Sequence, residues 1–277
     1  MIPIPRAKFV LPELRLPGAL LLFPLVLAAP VRPQTTAPAT LDRILVLGAS
    51  ASAGFGIRQE VGKRFTLAML LERMVKTGSH KVLDTATEFF FFDPEGSTRR
   101  AIRKGEAFSP TLVVAFDFLF WFGYGDQPDA PARLESLETG LRFLEGFSCP
   151  LVVAEIPDMK AAVGRMLRPE QIPAPQELDR INRRIRAWAA GRKNVILLPL
   201  AALLSRPGGP GEPHVSDPPL LQADQLHPTL EGLASIAALV LRSVARARKD
   251  VDPAGLELDP SAVAGSIRRE MDRALGG

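Results

Sequence analysis

A serine hydroxyl becomes a nucleophile only when a base lies within reach and a third group holds that base. One segment offers such a hydroxyl. In "RILVLGASASAGFGIRQ" (43–59) a short apolar run breaks into a turn of glycine, alanine and serine at residues 48–56. Ser50 falls just after the apolar run, between Ala49 and Ala51, which are too small to shield it. The chain has three histidines. His80 opens a strand, at the end of a sheet opposite to that turn, and His214 lies in a Gly/Pro-rich loop where a surface position is the simplest reading. His227, in "ADQLHPTLEG" (223–232), stands just before Pro228 and Thr229, which mark the start of a helix. Asp224 is three residues upstream, on one tight turn, where a carboxylate can hold the imidazole tautomer that accepts a serine proton. Alone, a histidine at a helix start reads as a cap; paired with the serine turn it reads as a base.

The same glycines do not make a phosphate cradle. A Walker loop places four residues between its glycines and then Lys-Ser/Thr, whereas five residues separate Gly48 from Gly54 and Phe55 follows. The dinucleotide fingerprint fails too, because Gly54-Phe55-Gly56 has no third glycine three residues on.

Such a site needs elements to carry it. Apolar runs at 43–48, within 80–92, 111–120, 150–156 and 194–200 read as strands, and helical patterns at 65–78, 97–108, 132–146, 176–191 and 229–248 alternate with them. In the last helix Leu230, Leu233, Ala237, Val240, Leu241 and Val244 recur at three- and four-residue spacing, which makes one buried face. Strands apolar nearly throughout fit a sheet covered on both sides, and strand–helix alternation points to an α/β fold with an open parallel sheet. In such sheets reactive groups collect at the carboxyl ends of the strands, where residues 48–56, 93–98, 121–126 and the long loop 201–228 fall. A loop that long reads as functional or as a lid. "EFFFF" (88–92) reads as strand core, with lipid contact the lesser alternative, and "FLFWFGYG" (118–125) as part core, part substrate pocket through Trp121 and Tyr124. Asp117, acidic within an apolar strand, calls for a polar partner.

With these residues in view, "VLGASASAGFG" resembles the first block of the SGNH (GDSL-type) hydrolases, a strand followed by Gly-Asp-Ser-Leu. "DQLHPTLEG" is similar to that family's last block, Asp-x-x-His-Pro followed by a helix. The resemblance spans roughly residues 42–247. It implies a flavodoxin-like three-layer sandwich with a five-stranded parallel sheet. It further implies Ser50 as nucleophile, His227 as base and then acid, Asp224 as orienting carboxylate, and no metal or organic cofactor. The implied substrate is a small-molecule or glycan carboxylic ester. A non-catalytic binding module of the same fold and a sugar O-acyltransferase relative stand beside the hydrolase reading.

Two departures matter. Ala49 stands where the family carries Asp before the serine, a position outside the triad. The family also stabilises its oxyanion with the serine N–H, a second-block glycine N–H and an asparagine side chain. Ser50 and Gly96 match the first two, but the chain holds only Asn182, in a helix, and Asn194, at a strand start. Loss of one such donor typically lowers the rate by about 10²–10³. Gln127, Trp121 or Tyr124 are candidates to replace it.

The remaining features bound the setting. With 34 Lys+Arg against 30 Asp+Glu in 277 residues, the charge is no footprint for nucleic acid. Residues 1–30 carry Arg6, Lys8 and Arg15 ahead of "LPGALLLFPLVLAAP" and read as a signal for export, with an uncleaved anchor as the alternative and the sole membrane contact expected. Residues 31–41 read as a flexible lead-in, 42–248 as the folded domain, and 249–277 as a tail or terminal helix. The single Cys149 makes no intrachain disulfide and reads as a buried packing residue.

Overall fold

The computed structural model describes residues 39–76, 78–203 and 219–275. The leader, most of the lead-in, His214 and residues 204–218 of the long loop lie outside them. Five strands, β1 (Arg43–Val46), β2 (Lys81–Asp84), β3 (Leu112–Ala115), β4 (Leu151–Ala154) and β5 (Val195–Leu198), form one sheet in the order β2-β1-β3-β4-β5. Every pairing is parallel. The helices are α1 (Ile57–Val61), α2 (Leu67–Met74), α3 (Pro94–Phe108), α4 (Phe120–Gly123), α5 (Ala130–Leu144), α6 (Pro175–Ala190), α7 (Leu200–Leu203), α8 (Leu230–Ala247) and α9 (Pro260–Leu275). The expected α/β sandwich with a five-stranded parallel sheet is therefore the observed one.

Strand periodicity divides the core in two. Ile44, Val46, Leu112, Val114 and Val152 point to the face covered by α2, α8 and α9. Leu45, Leu47, Val113, Ala115 and Val153 point to the face covered by α3, α5 and α6. Each fully buried aliphatic side chain contributes about 1.5–3 kcal/mol, so both faces must be apolar and both helix layers are needed. Residues 260–275, within the stretch read as a tail or terminal helix, form α9, whose Val263, Ala264 and Ile267 are buried against the first face.

Polar ties hold the layers in register. Arg133 of α5 is buried, pairs with Glu177 of α6 at 3.1 Å, and donates to the carbonyls of Gly123 and Gly125 at 3.2 Å. Arg268 of α9 pairs with Glu60 of α1 at 2.5 Å and with Glu231 of α8 at 2.7 Å. Cys149, expected inside, is half-buried at the margin of the second core.

The "EFFFF" segment departs from its expected place in a strand. β2 ends at Asp84, the chain passes through Thr85, whose hydroxyl donates to the Val46 carbonyl at 2.7 Å, and residues Phe90–Phe92 form a single 3-10 turn. Only Phe90 of the four phenylalanines is buried, packed edge-on against Phe118 and Phe122. An apolar run signals burial only if the backbone stays extended and paired, and here it does not.

Candidate active site

Ser50 stands on the turn that leaves the carboxyl end of β1, and this turn explains its glycines. Gly54 and Gly56 have φ of 73° and 78°, a region that residues with a Cβ rarely enter. A Cβ on Gly56 would also lie 2.1 Å from Oε1 of Gln222. That closeness is used: Nε2 of Gln222 donates to the Phe55 carbonyl at 2.7 Å and to the Pro228 carbonyl at 2.8 Å. Its backbone N–H donates to the His227 carbonyl at 2.8 Å. Gln222 thus fastens the serine turn to the histidine loop.

The turn is anchored from the other side by Asp117, just past β3. Its Oδ1 accepts from the Ala49 N–H at 3.0 Å and the Ser52 hydroxyl at 2.6 Å, and its Oδ2 from the Ser52 N–H at 2.9 Å. These are the polar partners that the sequence demanded without identifying. Burial pushes the Asp117 carboxyl up from its ordinary value, against the opposing pull of the Ser52 and Ala49 bonds. Ala49 occupies the position that the family pattern gives to Asp, and a carboxylate arrives beside it from a neighbouring strand instead.

His227 is buried, and Phe55 covers its ring at 4.3 Å between centroids. Its Nε2 lies 2.9 Å from Oγ of Ser50 and its Nδ1 lies 2.7 Å from Oδ2 of Asp224. With Nδ1 protonated and donating to the carboxylate, Nε2 accepts from the serine hydroxyl. Oδ1 of Asp224 accepts from the N–H groups of Leu226 and His227 at 2.9 and 3.0 Å, which fixes the carboxylate on a tight turn. Gln225 completes that turn at φ 61°, a conformation uncommon for a residue other than glycine. Burial acts to raise the Asp224 carboxyl, but the bonds from the His227 ring, the His227 N–H and the Leu226 N–H outweigh it and hold the group below its usual value. Thr229 caps α8 by accepting from the Gly232 N–H, so the histidine loop is braced by a helix start.

Ser50 and His227 open into one cavity of about 400 Å³, walled mainly by apolar side chains, among them Phe116, Trp121, Ile156, Leu221 and Leu239. Trp121 thus lines the same cavity as Ser50 and His227. Tyr124 does not: it is fully buried, its hydroxyl donates to the Pro157 carbonyl and accepts from the Met159 N–H at 3.0 Å each, and burial drives its phenol far above the usual range. Gly96 is also elsewhere. It sits in the first turn of α3, where its N–H donates to the capping Asp93 carboxylate at 2.8 Å, and it does not line the Ser50 cavity. The run "DPEGS" carried that signal, since Asp-Pro followed by an acidic residue marks a capped helix start.

The two asparagines, neither of which the sequence offers as an oxyanion donor, and Gln127, which it does, are all engaged elsewhere. Asn182 is committed to both backbone groups of Ile156 at 2.8 Å, Asn194 to the carbonyls of Phe147 and Cys149, and Gln127 to Ser136. The Ser50 N–H has no acceptor among the described residues. Also among the described residues, no three His, Cys, Asp or Glu side chains converge as metal ligands, and no helix is long and apolar enough to cross a membrane.

No protein-family model matches the chain. No curated protein matches it either. Solved structures do. A lipase/acylhydrolase from Enterococcus faecalis is 20% identical with a TM-score of 0.53, over 76% of this chain and 98% of that one. A GDSL-like lipase from Bacteroides thetaiotaomicron is 16% identical with a TM-score of 0.49, over 75% and 89%. The first of these, together with the β2-β1-β3-β4-β5 sheet, assigns the architecture: the chain has the fold of the SGNH (GDSL-type) hydrolases.

Proposed function

We propose that this protein is a serine hydrolase of the SGNH type that cleaves a carboxylic ester through an acyl-enzyme. The observation that carries the reading is the unbroken relay from Ser50 Oγ to His227 Nε2 and from His227 Nδ1 to Asp224, at 2.9 and 2.7 Å, opening into an apolar cavity. Ser50 Oγ attacks the ester carbonyl carbon as His227 takes its proton, and Asp224 stabilises the imidazolium that forms. The tetrahedral oxyanion accepts from the unengaged Ser50 N–H. Collapse expels the alcohol, which leaves with the proton from His227. Water then attacks the acyl carbon as His227 takes its proton, and collapse breaks the acyl–Oγ bond, releasing the acid while Ser50 Oγ takes that proton back from His227.

The missing asparagine costs about 10²–10³ in rate if nothing replaces it. Of the three side chains named as replacements, Gln127 and Tyr124 are engaged elsewhere. Trp121 lines the cavity and its indole N–H makes no hydrogen bond among the described residues, so it is the donor we assign to the oxyanion. A fluorophosphonate probe tests the proposal: a single adduct on Ser50, absent from Ser50→Ala, supports it. An unlabelled but folded protein that binds a glycan makes the chain a binding module instead. Export through residues 1–30 belongs to the same proposal, and sequencing the N-terminus of protein recovered outside the cytoplasm tests it.

A further inference from the structure

Three phenylalanines lie outside any core. Phe89 is 67% exposed, Phe91 43% and Phe92 73%. They form one continuous aromatic surface, with ring centroids 4.0 Å apart for Phe91 and Phe92 and 6.3 Å for Phe89 and Phe92, and buried Phe90 anchors it. Single exposed apolar residues are ordinary on a protein surface, whereas contiguous aromatic exposure marks a contact. A hollow of about 830 Å³ adjoins them, lined by Phe89, Phe92, Asp93, Arg100, Arg103 and Lys104.

The hollow's charged lining is cationic, Arg100, Arg103 and Lys104 against Asp93. Arg99 pairs with Glu95 at 2.9 Å and Arg100 with Asp93 at 3.5 Å. Arg103 and Lys104 are exposed on the next turn of α3 and make no ion pair among the described residues; Asp84, Glu88 and Glu106 are the other carboxylates nearby, and none of them lines the hollow. Bulky aromatic rings beside unpaired cations are the combination that holds proteins at an anionic membrane surface, where rings enter the headgroup–acyl boundary and cations meet phosphate. The patch also borders the cavity mouth, since Phe91 rests on Trp121 at 5.6 Å.

We propose that the 89–92 turn and the Arg103–Lys104 face of α3 dock this protein on an anionic phospholipid surface, with Phe89 and Phe92 inserted. This contact belongs to the folded domain, at the stretch whose lesser reading in the sequence is lipid contact, and is separate from any contact through the leader. It stands without the hydrolase reading, although the two together make a membrane-borne ester the substrate presented to Ser50.

The test uses the full chain with Phe92→Trp, mixed with phosphatidylcholine vesicles with or without phosphatidylglycerol. The expected result is a blue shift of the new indole and its quenching by lipids spin-labelled high in the acyl chain, beyond the response of Trp121 and Trp188 in the unsubstituted protein, and only with phosphatidylglycerol present. Arg103→Glu and Lys104→Glu each weaken partitioning by about fivefold or more at low salt. Vesicle binding that leaves position 92 in water means that the leader alone binds, and overturns the proposal. So does a concentration-dependent dimer that Phe89→Ser/Phe92→Ser dissolves with no vesicle response, because a second copy is then the occupant. Ser50→Ala docks normally if the proposal holds. Docking with no activity on any ester sinks the hydrolase reading alone, and activity with no docking sinks this one alone.

Discussion

The turns that follow β1 and β2 leave neighbouring strands at the same end of the sheet, yet they are built on opposite terms. The turn after β1 is held by Asp117 on one side and Gln222 on the other, and two of its three glycines, Gly54 and Gly56, are conformationally required. The turn after β2 has one buried anchor, Phe90, and sends its other rings into solvent. A reacting hydroxyl must stay within hydrogen-bond distance of its base, so the first turn is fixed by converging polar bonds. A contact surface needs area and accessibility, and the second has both.

Breaking the first turn gives the largest effects. Ser50→Ala or His227→Ala lowers kcat by about 10⁶, and the double variant is no slower than either, because a relay fails as a unit; initial rates on a chromogenic ester check this. Asp224→Asn lowers kcat by about 10⁴ by leaving the wrong tautomer facing Ser50. It carries a pH signature as well. The Asp224 carboxyl is held below its usual value in the folded protein, so its stabilising contribution is present above the unfolded value of about 3.9 and is lost as pH falls through the folded one. The stability difference between the unsubstituted protein and Asp224→Asn is thus flat above about pH 5 and shrinks in acid, as read by urea unfolding at a series of pH values.

Trp121→Phe keeps the cavity wall and removes the indole N–H; kcat falls by about 10² with KM little changed. An unchanged kcat removes Trp121 from the oxyanion site. Asp117→Asn costs about 2 kcal/mol in unfolding and about tenfold in kcat, since an amide nitrogen then faces the Ser52 N–H that Oδ2 now accepts. At the far end of the scale, Phe89→Ser/Phe92→Ser changes unfolding by under about 0.5 kcal/mol and leaves turnover of a dissolved ester intact. A large loss of stability there would mean that the second turn is as tightly built as the first, and would erase the contrast.

What could be read from the chain follows the same division. The layers were legible because strand and helix periods are local, and Ser50, Asp224 and His227 were legible as a set because few residue types can do their chemistry. The Asp117 anchor was not, since its bonds reach Ser52 across 65 positions. Gly96 was misplaced because the family pattern outweighed a helix-cap signal in its own neighbourhood. Tyr124 was misplaced because an aromatic ring at a strand's end reads the same whether its hydroxyl faces a pocket or a buried carbonyl. The "EFFFF" turn was misread because hydrophobicity says what a residue prefers, not what covers it.

Arg268 has a bearing on when the site can exist at all. Ser50 and His227 are 177 positions apart, and α1 and α8 behind them are clasped by Arg268, a residue later still. While the polypeptide is being synthesised, the serine turn therefore waits without its partner, and the clasp that braces the two helices is made later than either.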